Sequence, residues 1–478
     1  MINLFPEAFL GTAALFILVS GSILGSSPKY NYPIFCFQYL TILVLVWALL
    51  LIKSEICELN LHNSNITYYF ALDNLSAYAK IFIILGLLFC NCISKTRKIL
   101  PFEYYVLTLL ALLGLCALVS SFDSLSFYLC LELQSLCFYI LASFQRYSAF
   151  STEAGLKYFL LGAISSSFLL FGISFIYGFS GTTNLEDLSL LFLNNELTEN
   201  LYLYILIKIG LFFFSLGLIF KLGVVPFHIW LADVYEGAPT YVTAIFAVLP
   251  KIAIFTVFIR CFKATSPYVW ESLILSLGLV SLILGSLGAL AQSKFKRLLA
   301  FSGISHVGYA FIALACASVE SFQACLFYIF IYIITSVFFW GLALTIENTE
   351  KRTLYLSDIL SWSKTNPVLA FTTILILFSL AGIPPLGGFF AKFAVFAASA
   401  EASLYLATVV GLLSSAIGIL YYLRLVKVLS FEESSWYTSK PLKKIQALGL
   451  GLSSFFLIFF FIYGGFFLYM LYNISLSS

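Results

Sequence analysis

YLYILIKIGLFFFSLGLIFKLGVVPFHIW, residues 202–230, carries only Lys208, Lys221 and His228 as basic groups, and no carboxylate, in an otherwise apolar run. It is longer than the roughly 17–25 residues that one straight helical crossing of a bilayer uses. Pro226 lacks a backbone donor and clashes with the preceding turn, and Gly223 relaxes the helix, so GVVP (223–226) predicts a break at mid-membrane depth. Irregular backbone at that depth is tolerated only inside protein or beside a wet cavity. Lys221 lies five residues before Pro226, so a charge accompanies the break.

The pattern recurs. Residues 367–401 form a second overlong apolar segment, interrupted by GIPPLGG (382–388), with Lys392 seven residues after Pro385. Broken helices in corresponding positions of two halves point to an ion path. Working outward from the two breaks, apolar runs fall at 4–25, 33–52, 74–93, 102–121, 124–143, 155–178, 202–230, 239–261, 268–290, 298–317, 321–346, 367–401, 403–428 and 446–472. The expected fold is an all-α polytopic membrane protein of fourteen transmembrane helices. Spans 4–8 and 9–13 would form two five-helix repeats, with spans 7 and 12 broken. In sequence, the two lysines stand on opposite sides of their breaks. The expected organisation is a three-helix segment (1–101), two repeats (102–262 and 263–429) and a C-terminal helix (430–478).

Composition agrees. Of 478 residues 62% are hydrophobic and 10% charged, and mean hydropathy is +1.03; soluble domains carry about 25% charged residues. A net charge of +3 without a basic tail gives no reason to expect nucleic acid. MINLFPEAFL enters the first span with neither a cleavable signal nor a transit pattern, which predicts a bacterial chain or one made inside an organelle. The ten cysteines include no C-x-x-C pair and read as small buried hydrophobes. No G-x-G-x-x-G follows a strand, and no phosphate-binding loop is present, so no flavin, nicotinamide or nucleotide site is expected.

Two further charges lie deep in apolar helices: Glu132 in FYLCLELQSLCFYIL and Lys251 in AVLPKIAIF. A charge near the bilayer centre costs about 2.5–3.5 kcal/mol on insertion scales, so Glu132, Lys221, Lys251 and Lys392 together call for a purpose. A carboxylate that approaches or leaves a buried amine changes that amine's hold on its proton, so the set reads as a proton path with Glu132 and Lys221 as partners. The alternatives are a static buried ion pair fixing helix register and snorkelling near helix ends. His228 in VVPFHIW and His306 in FSGISHVGY read equally well as proton relays and as hydrogen-bonded packing residues. Lys80 and Lys208, near helix ends, are expected to snorkel; Glu153 and Lys157 are spaced for a helical ion pair; Ser165, Ser166 and Ser167 read as packing residues.

Lys95, Arg97 and Lys98, then Arg146, then Lys294, Lys296 and Arg297, then Lys351, Arg352 and Lys364, then Lys440, Lys443 and Lys444 occupy alternate loops, whereas 179–200 is acidic. This asymmetry predicts that the basic loops face the matrix or cytoplasm, with both termini opposite.

The runs at 127–185, IFKLGVVPFHIWLADVYEGAPTYVTAIFAVLPKIAIF (219–255), AQSKFKRLLAFSGISHVGYAFIALA (291–315), FSLAGIPPLGGFFAKF (378–393) and YYLRLVKVL (421–429) resemble the antiporter-like membrane subunits of mitochondrial NADH:ubiquinone oxidoreductase, respiratory complex I, in the subunit 2 branch and its plant, algal or protist form. The resemblance covers nearly the whole chain and is weakest over the first hundred residues and the extreme C-terminus. It implies fourteen helices with inverted repeats and a proton-pumping role in the membrane arm, driven by quinone reduction elsewhere. By motif match, Glu132, Lys221, Lys251 and Lys392 take the family's proton-path positions, with His228 and His306 on the same axis. It implies no cofactor in this subunit, NADH, FMN, iron–sulfur clusters and ubiquinone belonging elsewhere in the complex. Partners implied are the other membrane-arm subunits, including neighbouring antiporter-like ones, and lipids. The implied location is the mitochondrial inner membrane, with the bacterial plasma membrane or thylakoid as alternatives. Subunit 4 carries glutamate where Lys392 stands, and subunit 5 and stand-alone cation/proton antiporter subunits extend past the last span. A packing-only scaffold and a sodium-coupled antiporter are the readings from other classes.

Overall fold

The computed structural model describes residues 4–25, 35–61, 65–66, 68–94, 101–193, 201–265, 270–346, 355–356, 366–431 and 444–477. Among them the chain is helical apart from a two-residue hairpin, β1 (Asn65–Ile66) with β2 (Ala71–Leu72). The helices are α1 (Phe5–Gly25), α2 (Phe35–Leu61), α3 (Asn74–Ser94), α4 (Phe102–Ser120), α5 (Ser124–Ala142), α6 (Ala149–Ser180) and α7 (Leu185–Leu193). After these come α8 (Leu201–Leu222), α9 (Ile229–Gly237), α10 (Thr240–Ala264), α11 (Glu271–Leu290), α12 (Phe295–Ala315) and α13 (Val319–Ile346). The last are α14 (Pro367–Ala381), α15 (Gly387–Glu401), α16 (Tyr405–Phe431), α17 (Lys444–Ile458) and α18 (Phe460–Ser477).

Both expected breaks are present, between α8 and α9 and between α14 and α15. The span count is coarser than expected. Twelve described helices are long and apolar enough to cross a membrane, thirteen if α17 and α18 count as one. Each half of the 367–401 segment has 15 residues, short of a crossing by itself. The final segment, expected to be straight, bends by 81° between α17 and α18. The sixth span begins at Ala149, six residues before the expected start.

Helix ends gather at two faces. At one, Phe70 pairs with Ser121, Asp123 with Asn184, and Arg260 binds Asp73 (2.7 Å) and the Ser121 carbonyl (2.6 Å). At the other, Lys157 and Arg297 both bind Asp233 (2.9 and 2.8 Å), and Lys294 pairs with Glu236. Lys157 also meets Glu153 at 2.8 Å, the helical pair expected from their spacing. The loops bearing Arg146, Lys294 and Arg297 thus share the second face. Lys95, Arg97, Lys98, Lys351, Arg352, Lys364, Lys440 and Lys443 lie outside the described residues.

At the centre, α10 and α12 are both buried over nearly all of their length, which places Lys251 and His306 inside the protein. Glycines permit the close crossings: a Cβ at Gly172 would strike the α8 backbone at Phe214 and Gly210, and one at Gly285 would meet Ser305 N at 2.7 Å. This is how small residues serve helix packing in lipid. Ser165 is buried against α8, facing Gly217.

Lys80 departs from expectation. It does not snorkel: it is 0% exposed, with Glu7 at 2.6 Å and Glu55 at 3.8 Å. Position near a helix end suggested water, but α1 and α2 bring carboxylates over it, and a paired ammonium can stay buried. Lys208 is half-buried, 4.3 Å from the Tyr204 ring centroid.

Candidate functional site

At the first break, Gly223 turns the chain with φ 71°, a left-handed conformation that favours glycine. A helix end leaves carbonyls unsatisfied, and in hydrocarbon each needs a protein or water partner. Here Trp230 Nε1 from α9 donates to the Phe220 carbonyl at 3.1 Å. Lys221 lies in the last turn of α8 and donates from Nζ to the Tyr139 hydroxyl at 3.0 Å. Tyr139 keeps that position because Gly162 of α6 leaves room; a Cβ there would overlap its hydroxyl.

Glu132 lies seven residues before Tyr139 on α5, two turns or about 10 Å along the same face. It is half-buried, and its carboxylate accepts from Ser135 Oγ at 3.3 Å. The expected pairing with Lys221 is not made among the described residues: Lys221 binds Tyr139 instead. Glu132 falls in an exposed apolar stripe on α5 with Leu125, Leu129, Leu136 and Ile140. Those positions recur at helical spacing, so the carboxylate lies on the outer side of this chain.

At the second break, Gly382 turns with φ 88°, and Gly388 N donates to Ser379 Oγ at 3.0 Å. Lys392 reaches back from α15, and its Nζ donates to the Ala381 carbonyl at 2.9 Å. A cation at a helix C-terminus meets the negative end of the dipole and an orphan acceptor together. The two lysines stand on opposite sides of their breaks: Lys392 Nζ reaches back to the C-terminal end of the first half-helix, whereas Lys221, in the last turn of its own first half-helix, turns its amine to Tyr139 of α5.

Lys251 and Lys392 are linked by side chains that contact one another in series. Lys251 Nζ donates to the Tyr332 hydroxyl at 2.6 Å. Gly303 makes room for that pair, since a Cβ there would stand 3.1 Å from both polar atoms. The Tyr332 ring lies 5.2 Å from that of His306. His306 Nδ1 pairs with Tyr328 OH at 2.7 Å and Nε2 with Tyr422 OH at 3.0 Å. Tyr328 packs on Tyr309 with centroids 5.6 Å apart, and Lys392 Nζ lies 5.5 Å from the Tyr309 centroid. Tyr309 OH also meets Ser414 Oγ at 3.0 Å. A cavity of about 10 Å³ joins His306 to Lys392 past Tyr332 and Ser379.

Lys221, Lys251, Lys392 and His306 are each under 9% exposed. His228 is half-buried at the first break, its ring 6.5 Å from Phe301, and it contacts neither lysine among the described hydrogen bonds. Tyr139, Tyr158, Tyr309, Tyr328, Tyr332 and Tyr422 were not singled out in the sequence, yet they provide most of the hydroxyls. Tyr158 stacks on Trp230 (4.8 Å, 18°) and meets Tyr139 edge-on at 4.8 Å, so it braces both partners of the first break. Among the described residues no group of three His, Cys, Asp or Glu could hold a metal ion.

Residues 121–418 match a family profile described as NADH:quinone oxidoreductase/Mrp antiporter, TM. The chain is 40% identical over 471 residues to NADH-ubiquinone oxidoreductase chain 2 of Marchantia polymorpha, covering 96% of this chain and 95% of that one. It is 39% identical over 440 residues to NADH-quinone oxidoreductase subunit N of Pelagibacter ubique, covering 90% and 89%. Among solved structures, a chain of respiratory complex I from Thermus thermophilus with bound aureothin superposes with TM-score 0.80 at 29% identity, covering 97% and 98%.

Proposed function

Since the chain belongs to the NADH:quinone oxidoreductase/Mrp antiporter membrane-subunit family, we propose that it is the proton-translocating, antiporter-like subunit 2 of the membrane arm of NADH:ubiquinone oxidoreductase. The enzyme is an H⁺-translocating NADH–quinone reductase, and this subunit carries its proton step. NADH, FMN, iron–sulfur clusters and ubiquinone belong to other subunits. The likeness to chain 2 of plant mitochondria supports a place in the mitochondrial inner membrane.

One observation carries the reading. Three buried lysines, none paired with a carboxylate among the described residues, hold their amines on neutral hydroxyl or carbonyl oxygens, and a tyrosine–histidine series connects two of them. An uncharged oxygen accepts from a lysine in either protonation state, so it leaves the amine able to give up its proton. Lys221, Lys251 and Lys392 are the carriers, His306 the junction between the last two, Glu132 the outward-facing switch, and His228 a polar group at the first break.

Fourteen crossings follow when the α14–α15 pair and the bent α17–α18 pair each count as one. The repeats are α4 to α10 and α11 to α16, which overrun the expected bounds 102–262 and 263–429 by two residues each at their ends. Their correspondence is supported residue by residue: Gly223 and Gly382 each precede a proline by three positions, and Tyr139 and Tyr309 each underlie the lysine of their half's broken span. The half-buried Glu132 in its apolar stripe supports a neighbouring membrane-arm subunit against α5.

The test is NADH-driven proton uptake by vesicles holding the assembled complex. Glu132→Gln and Lys221→Ala are expected each to lower pumping and coupled quinone reduction while the complex still assembles. Near-parental pumping by a fully assembled Lys221→Ala complex would reduce Lys221 to a packing residue.

A further inference from the structure

The α9 helix has nine residues, too few to cross a membrane, and it stands between the first break and the start of α12. Its N-terminal end serves the break: Trp230 Nε1 donates to the carbonyl of Phe220, the residue before Lys221. The rest of it is held by cations from α12 and α6. Arg297 Nη2 donates to Asp233 Oδ1 at 2.8 Å, and its Nε stands 3.3 Å from Glu236 Oε2. Lys294 pairs with Glu236, and Lys296 Nζ donates to the Ala238 carbonyl at 3.3 Å. Asp233 Oδ2 is taken by Lys157 of α6 at 2.9 Å. One carboxylate thus receives a cation from α6 on one oxygen and a cation from α12 on the other.

What this arrangement supplies is position more than stability. The side chains of Lys157, Asp233 and Arg297 are 43%, 34% and 34% exposed, and ion pairs open to water contribute about 0–1 kcal/mol each. A planar guanidinium facing two carboxylates three residues apart on one helix admits few rotations of that helix, which a point charge would not restrict. Trp230 precedes Asp233 by three residues, so the two side chains share a face of α9. The α6 helix meets that face with two consecutive residues. Lys157 binds Asp233, and Tyr158 stacks on Trp230 and meets the edge of Tyr139, whose hydroxyl accepts from Lys221. A turn of α9 about its axis would disturb all of these contacts together.

We propose that Asp233 is a positioning residue: by joining Lys157 to Arg297 it makes α9 a lever that sets the Phe220–Lys221 end of α8 according to where α12 stands. The α12 helix carries His306 nine residues, or about 14 Å, beyond Arg297. A shift of α12 is thereby passed through Arg297 and Asp233 to Trp230, and from Trp230 to the backbone beside Lys221. The link is mechanical and moves no proton itself. The inference rests on the proton-path reading of Lys221.

The experiment measures NADH-driven pumping in sealed vesicles, divided by the amount of assembled complex on a native gel. Asp233→Asn keeps the shape and removes the charge that both cations share. Its pumping per complex should fall on the order of tenfold, because small misplacements of a reacting group are costly. Asp233→Glu, which keeps the carboxylate, should retain most of the parental rate; a loss equal to that of Asp233→Asn would reject the proposal. Trp230→Phe keeps a ring for Tyr158 but deletes the donor to Phe220, and it should pump less as well. Parental pumping there would leave the lever without an output. Since Asp233 acts through Trp230, the double variant should be no worse than the more impaired single one; losses that multiply overturn the lever. Fewer complexes that each pump like the parent, in Asp233→Asn, would make the network a brace and overturn it too. If Asp233→Asn does not assemble, Arg297→Lys decides: it keeps the charge, loses the fork and should pump less, and parental pumping by it rejects the lever. Lys221→Ala is run alongside. Parental pumping by that variant removes the proton-path reading, whereas loss there with parental pumping by Asp233→Asn removes the lever alone.

Discussion

Two kinds of buried cation stand out among the described residues. Lys80 and Arg260 are held by the carboxylates of Glu7 and Asp73, whereas Lys221, Lys251 and Lys392 meet only neutral oxygens among the described residues. A carboxylate fixes a proton on its partner; a hydroxyl or carbonyl does not. Lys80→Met should therefore act on stability, because breaking a buried pair costs about 3–5 kcal/mol through the charge left behind. The expected outcome is less assembled complex on a native gel, with the assembled fraction pumping normally. Lys392→Met should do the opposite: normal assembly and lost pumping. Lys392→Arg keeps the charge but cannot release a proton at physiological pH, so it should fail as well; an Arg variant that pumps like the parent would make the side chain an electrostatic anchor. The axis lysines were legible in the sequence because a charge in an apolar run stands out. The tyrosines were not, because 29 of them are spread through the chain and only packing selects the few that meet a lysine or histidine. Lys80 was misread because its partners come from two other helices.

At the scale of elements, each interruption works because protein groups take over the freed backbone. Trp230 does so for Phe220, and Lys392 and Ser379 do so at the second break. The two halves of the second break lie so close that a Cβ on Gly388 would overlap the Ser379 carbonyl. Backbone cannot yield as a flexible side chain can, so Gly388→Ala should cost about 1–3 kcal/mol, as overpacking does. It should reduce assembly more than Lys392→Met, as read from native-gel yield. Gly162→Ala offers a milder test, since the nearest atoms in its way belong to one side chain, the hydroxyl and adjoining ring edge of Tyr139. It should move that hydroxyl off Lys221 and slow pumping about as much as Tyr139→Phe, and the double variant should be no worse than either single one. Additive losses would show that Gly162 acts elsewhere. Gly and Pro made both breaks readable from sequence. The bend between α17 and α18 has no such mark: Ile458, Phe459 and Phe460 read as uninterrupted helix, and the 81° angle arises without a proline at the joint.

Among the described residues helix ends sort onto two faces, and the orientation expected from the alternation of basic loops is open to test. A cysteine at Gln292 should react with a membrane-impermeant reagent from the matrix side, and one at Thr182 only from the opposite side. The reverse pattern would invert the assignment. Most of this architecture was legible from hydropathy and loop charge; what lay beyond them was which surfaces remain open. Glu132 marks one of these, a carboxylate in the exposed α5 stripe between Leu129 and Leu136. While the chain waits in the membrane for its neighbours, that group meets hydrocarbon, at a cost of several kcal/mol that lasts until a partner covers it. If Glu132 is the switch proposed above, the same carboxylate also makes a chain without its neighbour costlier to keep in the membrane, which predicts a shorter lifetime for it. Pulse–chase labelling in cells lacking the adjoining subunits should show a short-lived chain, and Glu132→Gln should lengthen its half-life even though it impairs the finished machine.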